Sequence, residues 1–490
     1  MNLDLVAEHE QILAADGHVL VVGGPGSGKT TIALEKATRR IQQGLLHGQS
    51  ILFLSFSRAA VARLLAASER VPRALRPNLA IQTFHSFFWS VVQAQGYLLG
   101  ALRTLRLLPP HDEKALRRGA DDDADADWRA ERERLFREEG LVAFDLFAEK
   151  AAAILSGCVR LRTILSSRHP LIVVDEAQDT GVDQWHSMEL LAERSQVICL
   201  ADLDQQIYDF RPDVSAQRIE DIAEALHPLR VDLGARNHRS PDSEIVRFGD
   251  DILNGTPRGA AYSGVSQLRF VPRRGTRDTA IRSSVGIVAA RIKQQTGRGP
   301  ETIAVLATWG RGVSIVSRAL TGDPPSRPIH HRVLIDEAPV LLSARLVAFL
   351  LEPRRDNELR DLADGLELAA AVFRARGGKT SLSQADRLSA AASDARRGAG
   401  KPLRAGGTAG KLLTLLGELK LHLFRGDPRK DWIETRMKLR AAGGAPLVDV
   451  ADCAEQLAAF QQGQQIADGL SDLWQKTGTY QGARNTLDTA

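Results

Sequence analysis

A short run near the start of the chain combines glycines, a lysine and a hydroxyl residue at a spacing suited to holding a triphosphate. Residues 23–30 read Gly-Gly-Pro-Gly-Ser-Gly-Lys-Thr. In such a loop backbone N–H groups surround the phosphates, Lys29 reaches the β and γ phosphates, and the Thr30 hydroxyl ligates Mg²⁺. We predict a strand over 19–22 before the loop and a helix from residue 31 after it. In that arrangement the N–H groups and the helix N-terminus both face one anion. This context disfavours the alternative of a glycine turn that binds no ligand. The predicted nucleotide contacts are Gly23, Gly24, Pro25, Gly26, Ser27, Gly28, Lys29, Thr30 and Thr31.

Two adjacent acidic residues follow a later apolar run. Residues 171–174 read Leu-Ile-Val-Val and lead into Asp175 and Glu176. A carboxylate at the end of a buried strand can hold the same Mg²⁺, the role predicted for Asp175, while Glu176 can orient or deprotonate a water. Taken alone, the pair also fits a helix N-cap after a core strand. With the loop, it predicts a nucleoside triphosphatase that uses ATP and Mg²⁺. Gln11 is a candidate adenine contact, and a plain surface glutamine is an equal alternative.

Composition sets the broad class of the protein. A chain of 490 residues, 43% of them hydrophobic, is long enough for several domains with their own cores. No run of about 18 apolar residues is present, and the first ten residues carry acids where a signal peptide has a basic and then an apolar run. Three scattered cysteines indicate neither a disulfide framework nor a zinc module. We expect a cytoplasmic protein without a membrane partner. Its net charge of +4 is mild, so contact with a polyanion requires local patches.

Polar side chains also follow two further predicted strands. The apolar residues 51–56 lead into Ser57 and Arg58, and residues 81–87 contain Thr83 and His85. Because the carboxyl ends of parallel strands meet at one edge of a sheet, these side chains are expected to gather there. Hydroxyls, an arginine and aromatic rings suit a single strand of nucleic acid, whose phosphates accept hydrogen bonds and whose bases stack. The plainer alternative, a strand that ends in an N-cap Ser or Thr, stays open for each.

Two later segments carry candidate contacts to the phosphates. The apolar residues 197–200 run into a segment that contains Gln205, and Arg239 lies further along the chain. An amide at a strand end can sense a γ-phosphate, and a distant arginine can neutralise charge as the phosphoryl group leaves. Taken alone, a glutamine or arginine at such a position is more often an ordinary surface residue.

The order of these motifs resembles the UvrD/Rep-like superfamily 1 DNA helicases. After the loop come Ser-Phe-Ser-Arg-Ala-Ala at 55–60, Thr-Phe-His-Ser at 83–86, Asp-Glu-Ala-Gln-Asp at 175–179, a Gln-containing string at 201–208 and Asn-His-Arg-Ser at 237–240. Phe-Asp-Leu-Phe at 144–147 is similar to the string that precedes the acidic motif in the family. The resemblance covers residues 1 to about 250 and continues more weakly to about 352.

The resemblance implies a role for each matching residue. Gln11 and the flat ring of His238 would contact adenine, Gln205 would couple the γ-phosphate to the DNA site, and Arg239 would act as an arginine finger. His238 stands where the family has a tyrosine, Ala59 where a lysine is common, and Ala201 where a glycine is usual. The residues implied to line the single-strand path are Ser57, Thr83, His85, Tyr208 and Phe210.

The expected architecture is α/β, a P-loop NTPase with a RecA-like parallel sheet. Residues 1–88 and 168–260 would form this motor domain, 89–167 a helical insertion, 261–352 the start of a second RecA-like domain, and 353–490 a second helical insertion. The family's last motifs, TxHxxKGLE-like and VAxTR-like, are not found, so we expect the chain to end before the second motor domain is complete.

Two functions follow from these expectations. The first is an ATP-dependent helicase or translocase on single-stranded DNA or a single/double-strand junction, with 3′–5′ polarity by resemblance, serving repair, recombination or phage defence. The second is an ATP-gated DNA-binding or regulatory subunit that unwinds nothing alone and relies on a protein partner for the missing motifs.

Overall fold

The chain divides into two compact units. The first unit comprises residues 1–109 and 120–266, and the second comprises 110–119 and 267–490. The computed structural model describes residues 7–109, 112–113, 116–117, 125–202, 214–215, 217–234, 238, 243–271, 273–307, 310–322, 327, 329–331, 338–353, 357–398, 406–441 and 463–489.

A parallel β-sheet organises the first unit. The strands in chain order are β1 (Val19–Val22), β2 (Ile51–Ser55), β3 (Leu79–Thr83), β4 (Arg106–Leu108), β5 (Leu141–Ala143), β6 (Leu171–Val174), β7 (Gln196–Ala201) and β8 (Leu229–Asp232). Six of them form one sheet in the order β3-β2-β6-β7-β1-β8, and every pairing in it is parallel. β1, β2 and β6 are buried along their whole length, because helices cover both faces of the sheet. The α/β prediction is confirmed.

Helices of the first unit pack on both faces of this sheet. Alternate residues of each strand point to opposite faces. Val21 and Phe53 pack with Ile32 in one buried cluster, whereas Leu52 packs with Phe88 in another. The helices are α1 (Ala7–Ala14), α2 (Lys29–Gln42), α3 (Arg58–Ser68), α4 (Phe84–Gln95), α5 (Asp125–Arg134), α6 (Leu146–Gly157), α7 (Val159–Arg168), α8 (Val182–Ala192), α9 (Arg218–Leu226) and α10 (Ile245–Leu253).

The region predicted as a helical insertion is not wholly helical. Within residues 89–167, β4 and β5 pair in parallel over three residues each, with Arg106 opposite Leu141. A π-helical turn at Leu135–Glu139 continues α5 and buries Phe136. Short strands were missed because Arg-Leu-Leu and Leu-Val-Ala are too brief to show a period of two.

The described residues of the second unit form helices and no strands. They are α11 (Arg274–Thr296), α12 (Gly310–Thr321), α13 (Ala338–Leu351), α14 (Glu358–Arg376), α15 (Lys379–Arg396), α16 (Thr408–Lys420), α17 (Pro428–Ala441), α18 (Gly463–Thr477) and α19 (Ala483–Thr489). The core contains Phe349, Leu366, Leu416, Trp432 and Tyr480. None of the described helices in either unit is both long and apolar enough to cross a membrane.

The second α/β domain expected over 261–352 has no strand among its described residues. Residues 302–306 lie outside helices and strands, and residues 346–350 lie within α13. The assignment of a second RecA-like domain, like the other domain boundaries, therefore stays a prediction.

Candidate nucleotide site

The glycine-rich loop leaves the carboxyl end of β1 and is fixed to two neighbouring strand ends. The Gly23 N–H donates to the Ala201 carbonyl at 3.2 Å, at the end of β7. The Gly24 N–H donates to the Gly234 carbonyl at 3.1 Å, just after β8. Because β7 and β8 flank β1, the loop is held from both sides.

Three glycines give this loop its shape. Gly26 and Gly28 have φ values of 78° and 93°, which side chains disfavour. At Gly23 an added Cβ would lie 2.7 Å from the Ser27 Oγ. Gly28 is also the N-cap of α2, whose first internal bond runs from the Ile32 N–H to the Gly28 carbonyl at 3.0 Å.

The start of α2 fits an anion. N–H groups in the first turn of a helix have no partner inside the helix, and the helix dipole adds partial positive charge there. The buried Ser27 Oγ has no hydrogen-bond partner among the described residues. Open donors, an unpaired hydroxyl and backbone that approaches closely together suit the phosphates of a nucleotide.

The Lys29 ammonium lies inside the loop. Its Nζ donates to the carbonyls of Gly23 and Gly24, the latter at 3.1 Å, and lies 3.5 Å from the Asp202 Oδ2. The Lys29 and Asp202 side chains are only 11% and 4% exposed. The cation is thus held where it can reach a phosphate, with a buried carboxylate beside it.

Asp175 and Glu176 follow β6, as predicted. The Asp175 N–H donates to the Leu54 carbonyl at 2.9 Å, and its carboxylate accepts from the Ser55 Oγ at 3.3 Å. Burial, and secondarily the charge of Glu176, raise the pKa of the Asp175 carboxyl to about 6, although Ser55, Arg63 and Lys29 act in the opposite direction. Two crowded carboxylates of this kind fit a divalent cation, which would remove their mutual repulsion.

The protein itself would supply few ligands to such a cation. The described residues contain no cluster of three or more His, Cys, Asp or Glu side chains arranged around a metal. Mg²⁺ typically binds through one or two carboxylates together with water and substrate phosphates. Asp175 and the hydroxyl of Thr30, at the start of α2, therefore fit the predicted metal site.

The chain turns sharply after the acidic pair. Glu176 has φ 53° and ψ 48°, a left-handed conformation uncommon for a residue with a side chain, and a 3₁₀ turn over Ala177–Asp179 follows. Gln178 is fully buried, and its Nε2 donates to the Glu176 Oε2 at 2.9 Å. Its Oε1 accepts from the Asp202 N–H at 3.2 Å. Sequence reasoning missed Gln178 and Asp202, although both follow buried strands at the edge that carries the site.

Ser57 and Thr83 lie near each other at this edge and cap helices. β2 and β3 pair with Ser55 opposite Thr83. The Ser57 Oγ accepts from the Ala60 N–H at 3.0 Å, and the Thr83 Oγ1 accepts from the Ser86 N–H at 3.1 Å. The N-cap alternative is therefore present in the structure, and contact with DNA stays a prediction for both. Arg58 begins α3, and its side chain falls outside the described part.

A row of aromatic rings begins beside Thr83. His85 stacks on Phe144 with ring centroids 4.2 Å apart and planes 13° apart. Phe147 lies 5.4 Å from Phe144, and Trp89 stacks on Phe147 at 4.7 Å. The Phe144 side chain is 42% exposed. Sequence reasoning did not assign Phe144 or Trp89 to a site, although the Phe-Asp-Leu-Phe string at 144–147 marked the position.

Comparison with known proteins finds sequence similarity in the region that carries this site. Residues 5–138 and 121–216 match the family described as UvrD/REP helicase N-terminal domain. Through this region the chain is similar to the UvrD/Rep-like helicases, as the order of its motifs predicted. It is 22% identical over 319 residues to the ATP-dependent DNA helicase PcrA of Staphylococcus epidermidis, covering 56% of this chain and 44% of that protein. It is 21% identical over 295 residues to PcrA of Staphylococcus aureus, covering 51% and 40%. The chain thus spans under half the length of these relatives.

The two adenine contacts implied by the UvrD/Rep-like pattern lie on different segments of the chain. Gln11 is exposed on α1, which Lys36 of α2 holds through a hydrogen bond to the Leu13 carbonyl at 2.8 Å. The His238 N–H donates to the Gly26 carbonyl at 3.0 Å, so this residue lies against the phosphate loop. No hydrogen bond links Gln11 with His238 among the described residues, and their adenine role stays a prediction.

Four UvrD/Rep-like candidates lie outside the described residues. They are Gln205, Tyr208, Phe210 and Arg239.

Proposed function

We propose that this UvrD/Rep-like chain binds and hydrolyses ATP with Mg²⁺ and that single-stranded DNA stimulates the reaction. The observation that carries the proposal is Lys29 inside a glycine loop, with the Asp175–Glu176 pair at the same edge of one parallel sheet. This edge is where open α/β sheets bind ligands.

Nucleotide binding would use the loop and the start of α2. The N–H groups of Gly26, Gly28, Lys29 and Thr30 would donate to the phosphates. The Lys29 ammonium would exchange its carbonyl partners for phosphate oxygens. Thr30 and Asp175 would hold Mg²⁺, which when bound neutralises charge on the phosphates. Gln11 and His238 are proposed to contact the adenine.

Hydrolysis would depend on Glu176. Its carboxylate would orient a water for attack on the γ-phosphate and accept a proton, so that ADP and phosphate leave. Gln205 and Arg239 are proposed to sense the γ-phosphate and to neutralise charge in the transition state, as the resemblance implies.

DNA binding is proposed for the edge beside the nucleotide. The exposed ring of Phe144 stacked on His85 supports it, since aromatic faces stack with bases regardless of sequence. Ser57, Arg58, Thr83, Tyr208 and Phe210 are proposed to line the same path. Translocation with 3′–5′ polarity, unwinding at a junction, and a role in repair, recombination or phage defence are further parts of the proposal.

A second function is favoured by one observation. The described residues of 261–352 contain no strand, so a second motor sheet is not evident among them. An ATP-gated DNA-binding or regulatory subunit, which needs a partner protein to unwind DNA, fits that observation.

The steady-state rate of ATP hydrolysis, with and without an oligothymidylate, tests the proposal. We expect DNA to stimulate ATP hydrolysis by the wild type and Lys29→Ala to abolish hydrolysis. Lys430→Ala, which alters an exposed lysine of the second unit, should leave the hydrolysis rate unchanged. Nucleotide binding with a rate indifferent to DNA would favour the second function. A folded wild-type protein that hydrolyses no ATP would refute the first. Strand displacement on a forked duplex then separates a helicase from a DNA-stimulated ATPase.

A further inference from the structure

The Glu176 side chain is held by a contact that none of the predicted roles explains. Its backbone adopts a left-handed conformation, which costs a residue with a Cβ roughly 1–3 kcal/mol and persists only where the surroundings fix it. The Gln178 amide donates to the Glu176 Oε2 at 2.9 Å from a fully buried position. The carboxylate that would orient water thus has a fixed partner two residues away.

The other end of the same amide reaches a second strand end. The Gln178 Oε1 accepts from the N–H of Asp202, the first residue after β7. The Asp202 carboxylate lies 3.5 Å from the Lys29 Nζ, which also bonds the carbonyls of its own loop. A continuous set of contacts therefore runs from Glu176 through Gln178 and Asp202 to Lys29.

We propose that Gln178 is a positioning residue that links the orientation of Glu176 to the engagement of Lys29. The inference rests on the proposed ATPase function. When Lys29 turns to a phosphate, the cation moves away from the Asp202 carboxylate and Asp202 adjusts its position. The hydrogen bond from the Asp202 N–H carries that adjustment to Gln178. Glu176 is then brought to the water only when a triphosphate fills the loop.

Neighbouring contacts hold the backbone of the turn that carries Gln178. The Thr180 hydroxyl donates to the Ala177 carbonyl at 2.7 Å, and the Arg218 Nε donates to the Thr180 carbonyl at 3.0 Å. The backbone of the turn is thereby anchored on both sides of Gln178, so the amide can act as a pivot between Glu176 and Asp202.

Gln178→Met tests the inference, because methionine keeps the length of the side chain and removes the hydrogen bonds to Glu176 and Asp202. We expect kcat for ATP to fall about tenfold or more, with KM changed less than about twofold, since Lys29, Thr30 and Asp175 are untouched. Gln184→Met is the matched control: Gln184 is also buried, but its amide oxygen accepts from the Gly181 N–H at 3.1 Å instead of serving Glu176. It should lower the melting temperature and leave kcat unchanged.

A double variant distinguishes positioning from a loss of structure. In a Glu176→Gln background, Gln178→Met should lower the residual rate no further, because the amide acts through the carboxylate. A purely structural role would lower that rate by the same factor as in the wild type.

If the Gln178→Met protein does not fold, Gln178→Asn provides the alternative test. Asparagine keeps the amide but cannot reach Glu176 and Asp202 together, and the same fall in kcat is expected. Two results would overturn this inference without touching the proposed function. One is a wild-type kcat in a folded Gln178→Met or Gln178→Asn protein. The other is a fall in kcat by the same factor whether Gln178→Met is made in the wild type or in Glu176→Gln. A wild-type protein that hydrolyses no ATP would instead refute the proposed function.

Discussion

At the scale of single residues, the candidate site contains groups that lower the stability of the folded protein. Asp175 is crowded by Glu176 and partly removed from water, and Glu176 has a strained backbone. Such features persist where a ligand or a reaction gains from them. The same two residues therefore offer tests of both stability and chemistry.

Glu176→Gln is expected to keep affinity for ATP and to lose hydrolysis. Asp175 and Thr30 would still hold the metal, whereas an amide cannot accept the proton of the attacking water. The loss expected from removing a general base is about 10²–10⁴-fold in kcat. Nucleotide binding and single-turnover hydrolysis measure the two effects. Glu224→Gln, an exposed change on α9, is the control, and normal hydrolysis by Glu176→Gln would show that another group handles the water.

Asp175→Asn is expected to stabilise the metal-free protein at pH 8. The native pKa, about 6, lies above the ordinary 3.8, so the native state binds the extra proton between these values. Stability is therefore lost as the pH rises through that window, and above it the charge costs roughly 1 kcal/mol or more. Asparagine removes this cost, raising the melting temperature by about 2–4 °C per kcal/mol.

The gain should vanish near pH 4, where wild-type Asp175 is neutral. Melting curves in the presence of a chelator at both pH values check this. Asp250→Asn, at an exposed position of α10, should show no such dependence on pH. A less stable Asp175→Asn protein at pH 8 would mean that the carboxylate is not under strain.

At the scale of elements, the edge of the sheet brings the site together. β1, β6 and β7 deliver the loop, the acidic pair and Asp202 to one place, because parallel strands end at the same edge. The shape of the loop depends on the conformation of Gly28, the last residue of the connection between β1 and α2.

Gly28→Ala is expected to weaken nucleotide binding and to destabilise the start of α2. Gly28 has φ 93°, and a left-handed backbone costs an alanine about 1–2 kcal/mol even though space is open around it. Gly17→Ala is the control, because that glycine has ordinary φ and no described atom within 4 Å of an added Cβ. Equal ATP affinity in the two variants would contradict the role given to this backbone.

The sequence predicted those parts of the site that have a strong local signature. Apolar runs of four or more residues became β1, β2, β6 and β7, and the spacing of Gly23, Gly28 and Lys29 identified the loop. The contacts of Gln178 could not be predicted, because they depend on the left-handed turn at Glu176 and on β7 lying beside β6. The stacking of His85 on Phe144 similarly joins residues far apart in the chain.

At the scale of the whole molecule, each unit has its own core. The sheet and its helices bury two clusters in the first unit, and Trp432 and Tyr480 belong to the core of the second. The buried Tyr480 hydroxyl donates to the Asp431 Oδ2 at 2.6 Å, and that carboxylate also accepts from the Gly426 N–H at 2.9 Å. Burial and Asp431 together raise the pKa of Tyr480.

Tyr480→Phe is expected to destabilise the second unit without affecting nucleotide binding. It leaves a buried carboxylate with one partner fewer, at a cost of about 1–3 kcal/mol. In calorimetric melting, the transition of the second unit should move to a lower temperature. The transition of the first unit should still move to a higher temperature when ATP and Mg²⁺ are added. Tyr97→Phe, at a 65% exposed position, is the control. Loss of ATP affinity in Tyr480→Phe would show that the first unit depends on the second.

Calorimetric titration of the full chain with a slowly hydrolysed ATP analogue and Mg²⁺ tests the central claim most directly. We predict saturable binding by the wild type, loss of that binding in Lys29→Ala, and no change in Lys430→Ala. Folded wild-type protein that releases no heat of binding, or a Lys29→Ala variant that binds as tightly as the wild type, would contradict the assignment of residues 23–30 to a triphosphate.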